Sequence, residues 1–230
     1  MKKQIIPTSA GFSIDPDNKK IDRYILDQVE SECPNVCFIP TASGDAESYT
    51  ERFYKHFKPE NCTPSHLSLF SGETEDIEGF LMQQDVVYVG GGNTRNMLAL
   101  WDLWGVSRIL KNAYHQGTLL TGISAGSLCW YEQGLTDSFP GQLVPIDCLG
   151  LLEGSNCPFF DGHEEKATVY PDLIEQQKIM PGIATDIGVC LHYVDGNLHR
   201  VFAGKEGVAA YQFRRENGQV DKVELTPDIL

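Results

Sequence analysis

The stretch Gly122-Ile123-Ser124-Ala125-Gly126 holds the residues best suited to chemistry in this 230-residue chain. A short apolar run, Thr118 to Thr121, leads into it, and Leu128, Cys129, Trp130 and Tyr131 can continue it as a helix. A strand-to-helix turn that displays one serine is written in this way, because glycines on either side allow a sharp bend and keep bulk away from the hydroxyl. Ser124 is the candidate nucleophile. Three fixed positions in five also occur at ordinary tight turns, so the motif gains weight only from its surroundings.

A second stretch supplies that weight. Val89-Gly90-Gly91-Gly92-Asn93-Thr94 places three glycines between an apolar run and a helical pattern through Leu98, Leu100 and Trp101. Unobstructed backbone N–H groups in such a loop can face an anion. The spacing matches neither the dinucleotide fingerprint nor the Walker loop, so no nucleotide cofactor is inferred. Open α/β sheets place their sites at the carboxyl ends of parallel strands. Both loops would lie there, which makes an oxyanion hole facing Ser124 a specific expectation.

The elements that must position these loops are legible as alternation. Gln4 to Ser9, Asn35 to Ile39, His66 to Phe70, Asp85 to Val89 and the run before Ser124 read as strands. Between them, helical patterns fall near Ile21 to Glu30, around Tyr49, Phe53 and Phe57, at Ile77 to Met82 and at Val106 to Gln116. The continuous apolarity of Val36-Cys37-Phe38-Ile39 suits a strand covered on both faces. Alternating strands and helices predict a mainly parallel sheet with right-handed crossovers. Beyond Tyr131 the pattern predicts a loop through Pro140 and Pro145, short strands at 149–152 and 156–161, and a helix over Glu164 to Lys178. Four last strands, at 189–194, 198–203, 208–214 and 220–225, read as a terminal meander.

Composition bounds the function. With 41% hydrophobic and 22% charged residues the chain can bury one sizeable core, and one domain over 1–230 is expected. A formal charge of −14 argues against nucleic acid or an anionic membrane as partner. The start of the chain lacks the apolar region of a signal peptide, and no run approaches the length of a membrane span. Seven scattered cysteines without a Cys-x-x-Cys suit reduced thiols, and a cytoplasmic location is expected. The histidines share no ligand spacing, so no metal is expected. His192, in an apolar run, reads as a hydrogen-bonded core residue.

The two glycine motifs together resemble those of the dipeptidase E and cyanophycinase group of serine peptidases. The similarity extends through Phe38-Ile39-Pro40-Thr41-Ala42-Ser43, Thr136-Asp137-Ser138, Leu149-Gly150-Leu151-Leu152 and Leu191-His192-Tyr193, in the expected order. The resemblance implies a single-domain, three-layer α/β sandwich like class I glutamine amidotransferases, ending in the β-meander. It implies cleavage of short peptides, aspartyl ones among them, without a cofactor. Carried over by position, Ser124 is the nucleophile and the N–H groups of Gly92 and Ala125 hold the oxyanion.

At the base the chain departs from its relatives. The family's Pro-His-Tyr-Asp-like segment is matched here by Pro158-Phe159-Phe160-Asp161-Gly162-His163, with phenylalanine where the histidine is expected. Phe159 cannot accept a proton, and a serine hydroxyl needs an acceptor within reach. Two readings follow. His163, four residues on, serves as a relocated base with Asp137 as its orienting acid; or the chain has given up peptidase chemistry and keeps the pocket to bind a small molecule or peptide. Glu132 is a weaker candidate for the acid. A glutaminase-like reading fares worse, since the elbow carries serine and not cysteine. A homodimer is the expected assembly for such an enzyme.

Overall fold

The computed structural model describes residues 2–230. In chain order its elements are β1 (Gln4–Thr8), α1 (Lys20–Leu26), β2 (Asn35–Ile39), α2 (Glu47–Phe57), β3 (Thr63–His66), α3 (Ile77–Leu81) and β4 (Val86–Val89). There follow α4 (Thr94–Trp104), α5 (Val106–His115), β5 (Leu119–Ile123), α6 (Ala125–Leu128), β6 (Tyr131–Phe139), β7 (Gln142–Asp147) and β8 (Leu152–Pro158). The chain ends through α7 (Lys166–Glu175), β9 (Gly182–Thr185), β10 (Val189–Val194), β11 (Asn197–Ala203), β12 (Ala210–Glu216), β13 (Gln219–Leu225) and β14 (Asp228–Ile229).

Eight strands form one sheet in the order β14-β11-β10-β1-β5-β4-β2-β3. From β1 to β3 every pairing is parallel, and β10 and β11 extend it antiparallel. Side chains alternate between two buried faces, as neighbouring residues on one strand must. Ile5, Cys37, Val87 and Leu120 meet Met97, Trp101, Ile109 and Leu110 of α4 and α5. Ile6, Phe38, Tyr88 and Leu119 meet Ile21, Ile25, Phe53 and Phe57 of α1 and α2. Helices thus cover both faces, and the expected α/β architecture stands.

The second half differs from the sequence-based expectation in three ways. The helix expected to run on from the serine ends at Leu128, and Tyr131 opens a long strand; Asp137 is therefore in β6 rather than in the loop expected beyond Tyr131. The stretch read as a loop at Pro140 is the tip of a β6–β7 hairpin. The terminal strands do not form one meander: β10 and β11 join the first sheet, whereas β12 and β13 join a six-stranded sheet, β13-β12-β9-β8-β6-β7. The physical reason is β9, whose four residues Gly182-Ile183-Ala184-Thr185 are too few to show a period, yet it pairs with both β8 and β12 and gives that sheet its centre. Leu135, Cys157, Ala184 and Phe213 of this sheet pack with Tyr170 and Ile174 of α7 as a separate core.

His192 is the buried, hydrogen-bonded residue that its apolar surroundings suggested. Its Nδ1 lies 2.9 Å from Tyr24 Oη and its Nε2 lies 3.1 Å from Gln4 Oε1. Burial, followed by the nearby charges of His199, Lys2 and Arg200, pushes its pKa down to about 4 from the ordinary 6.5. Between these values the unfolded chain binds a proton that the native state refuses, so His192 makes stability fall as pH drops through that window. His192→Gln should give a shallower decline of the urea midpoint from pH 6.5 to pH 4 than the wild type shows.

Candidate active site

The parallel register brings the chemistry-bearing loops to one edge. Ile39 pairs with Val89, Val89 with Gly122, and Thr8 with Ile123, so the loops after β1, β2, β4 and β5 leave the sheet side by side. Ser124 stands where β5 stops, with φ 58° and ψ −112°, and the next residue begins α6. That conformation is one an L-residue rarely adopts, and it costs of the order of 1–3 kcal/mol. The surrounding packing imposes it. A Cβ on Gly122 would lie 2.5 Å from the Val89 carbonyl oxygen, and one on Gly126 would overlap the same oxygen. The elbow is folded back onto the end of β4 as closely as backbone allows. Thr8 Oγ1 donates to Gly122 O at 3.1 Å and holds the turn from the other side.

The glycine loop faces the serine directly. A Cβ on Gly91 would stand 3.1 Å from Ser124 Cβ and 3.7 Å from its Oγ. Gly91 donates its N–H to Tyr49 Oη at 3.3 Å, which turns that group into the protein. Gly92, at φ 142°, packs so tightly on the Ala42 carbonyl that no side chain fits, and Asn93 N–H bonds that carbonyl at 2.7 Å. Among the described residues the Gly92 N–H has no hydrogen-bond partner. Tyr49 carried no signal in the sequence beyond its place on an apolar helix face. Its role follows from tertiary contact alone.

The second sheet delivers the segment that follows β8. Pro158 pairs with Thr185, and Ser9, the residue after β1, ties the two sheets together. Its Oγ lies 2.8 Å from Thr185 Oγ1 and accepts from Phe159 N–H at 3.3 Å, and its main chain bonds Val189 and Gly188. Phe159 is thereby held beside the strand end that neighbours Ser124, with φ 56° and its ring packed against the α1–α2 side of the first sheet.

The remaining site candidates lie elsewhere. His163 and Asp137 are exposed, and together with Phe139, Gly141, Gln142, Leu143, Glu164 and Glu165 they line an open cleft of about 510 Å³. Ser124 is not in that lining, and among the described residues no hydrogen bond joins it to either residue. The cleft is still a neighbour of the glycine loop, because Ser138 Oγ accepts from Thr94 N–H at 2.8 Å and Asn93 Nδ2 donates to Ser138 O. Glu132 is taken up otherwise, accepting from Gly154 N–H at 2.7 Å.

Comparison with known proteins now decides the family. The model for peptidase family S51 matches residues 5–201. The chain belongs to peptidase family S51. It is 43% identical over 225 residues to the uncharacterized peptidase YgaJ of Bacillus subtilis, covering 98% of this chain and 97% of that protein. Among solved structures it resembles a peptidase from an acI-B1 actinobacterium, with a TM-score of 0.74 at 15% identity over 99% of this chain and 95% of that one. It also resembles a protein described as a putative peptidase E from Listeria monocytogenes EGD-e, with a TM-score of 0.64 at 18% identity over 88% and 99% of the two chains. At such identities these two structures speak for the fold alone. In this member of the family, Ser124 is one of the non-glycine residues held at positive φ.

Relief of that strain is measurable. Ser124→Gly should stabilise the protein by about 1 kcal/mol, since glycine adopts positive φ without penalty, whereas Ser124→Ala should leave stability near that of the wild type. Urea unfolding of the three proteins checks the order.

Proposed function

We propose that this chain is a serine-type hydrolase of short peptides, aspartyl peptides among them, with Ser124 as nucleophile. The observation that carries the reading is the strained elbow, which lifts one hydroxyl toward a loop whose Gly92 N–H is left without a partner. As Ser124 Oγ bonds to the scissile carbonyl carbon, its proton passes to a base, and the carbonyl electron pair moves onto the oxygen. Gly92 and Ala125 N–H groups hold that oxyanion, each contributing roughly 3 kcal/mol to the lowering of the barrier when its donor lies about 3 Å from the oxygen. The tetrahedral species then collapses, the C–N bond breaks, and the base returns the proton to the leaving amine. Water releases the acyl group by the same steps in reverse.

His163 is the base in this reading and Asp137, across the cleft, its orienting acid. Free-enzyme geometry is often looser than that of the substrate complex, so the segment 162–165 must close toward Ser124 when peptide binds. The cleft's own carboxylates, Asp137, Glu164 and Glu165, suit the ammonium end of a peptide.

Phe159 favours a second reading. An aromatic ring in the position where the family carries its imidazole makes a site that binds a peptide or small molecule without cleaving it. Labelling by a serine-directed phosphonate separates the two. Under the first reading the wild type labels, Ser124→Ala abolishes labelling, and His163→Ala slows it about 10²-fold or more, the usual scale for loss of a general base. A wild type that stays unlabelled while Phe159→His labels would establish the second.

A further inference from the structure

Lys166 is a cation almost wholly removed from water, 6% exposed, whose ammonium meets no carboxylate at ion-pair distance among the described residues. A buried charge without a counter-ion is costly and needs hydrogen bonds to persist. The bonds it makes are all to one loop. Its Nζ donates to Pro158 O at 2.6 Å and reaches Phe159 O at 3.4 Å, while its own main-chain N–H donates to His163 O at 3.0 Å. The side chain thus grips the loop at its entry and at the positive-φ turn of residue 159, while the bond to His163 O belongs to the main chain at the start of α7.

We propose that Lys166 is a positioning residue, a clasp that anchors the 158–163 loop at Pro158 and Phe159, the held end from which the segment 162–165 closes to present its base toward Ser124. The inference rests on the hydrolase reading above. Other observations agree with it. The loop's far side is held by fixed groups as well: Phe160 N–H bonds Thr185 O at 2.9 Å, and Asp161 Oδ1 accepts from Ile187 N–H at 2.7 Å. Desolvation pushes the Lys166 pKa down, partly offset by Cys157 on β8, Asp137 on β6 and Asp161 in the loop, which are the titratable groups that face it. Its ammonium lies 6.0 Å from the centre of the Phe159 ring. An imidazole installed there by Phe159→His would feel that charge, and a nearby cation disfavours the protonated ring and lowers its pKa.

The test uses Lys166→Met, which keeps length and loses both donor and charge, and Lys166→Arg, which keeps both. Each is made in the wild type and in Phe159→His. Hydrogen–deuterium exchange reads the clasp without any need for activity: Lys166→Met should speed exchange in residues 159–163 at least tenfold and leave β4 and β5 unchanged, with Lys166→Arg close to the parent. Phosphonate labelling of Ser124, followed against pH in whichever background labels, reads the positioning. Lys166→Met should slow it about tenfold or more. In Phe159→His the midpoint of the pH profile should also rise by about 1 unit, the scale expected for one charge near 6 Å in a partly solvated site. Lys166→Arg should restore both.

Unchanged exchange in the loop overturns the proposal. So does loosened exchange with labelling and profile unaltered, because Lys166 would then be structural only. Absence of labelling in every background would instead defeat the hydrolase reading, and the exchange data would still decide whether Lys166 holds the loop.

Discussion

The close approach of the serine elbow to the carbonyl of Val89 is the constraint on which the site depends. With no side chain at 122 or 126, the backbone of β5 and α6 can lie against the end of β4, and the chain between them has room for only one path. That path puts Ser124 at positive φ and turns its side chain toward Gly91. The same packing brings Leu128 under β6, where a Cβ on Gly134 would come within 2.7 Å of its Cδ1. The second sheet is therefore seated on the elbow's short helix. Ser124, the glycine loop and the second sheet all take their positions from one backbone-to-backbone contact.

The first sheet was largely legible because its signals are local and repeated. Continuous apolar runs closed by glycine loops specify buried parallel strands, and the α2, α4 and α5 patterns have a clear apolar face. The second sheet was not legible, for reasons that can be named. β9 is too short to carry a period, and β6 alternates imperfectly because Gly134, Leu135 and Thr136 are buried in succession. Glycine and serine in a strand read as turn residues until a neighbouring strand is seen to need them. The helix expected after Ser124 failed on packing. Trp130 and Tyr131 are apolar enough for a helix, but both are buried where the chain must turn into β6.

At the site, the sequence exposed what depends on residue type and concealed what depends on contact. Ser124 and its glycines were visible because only glycine permits such an approach. Ser9, Tyr49 and Lys166 were not, because a serine, a tyrosine on an apolar face and a lysine near a helix start are each ordinary in isolation. Their roles come from partners far away in the chain: Ser9 with Phe159 and Thr185, Tyr49 with Gly91, Lys166 with the turn it spans.

The two halves of the site are built on separate foundations, and this bears on how a peptidase fold can hold phenylalanine at residue 159. Ser124 and the glycine loop belong to the eight-stranded sheet and are fixed by glycine packing and by Thr8 and Tyr49. The segment after β8 belongs to the six-stranded sheet and is fixed by Lys166, Asp161 and Thr185. Ser9 joins the halves through main chain and one hydroxyl, none of which senses the side chain at 159. Phe159 can thus pack its half-buried ring against the α1–α2 core without disturbing the elbow. It follows that the elbow's strain persists whether or not a base faces it, since packing imposes it. The shape of the serine turn records the packing of the first sheet and is independent of the side chain at residue 159.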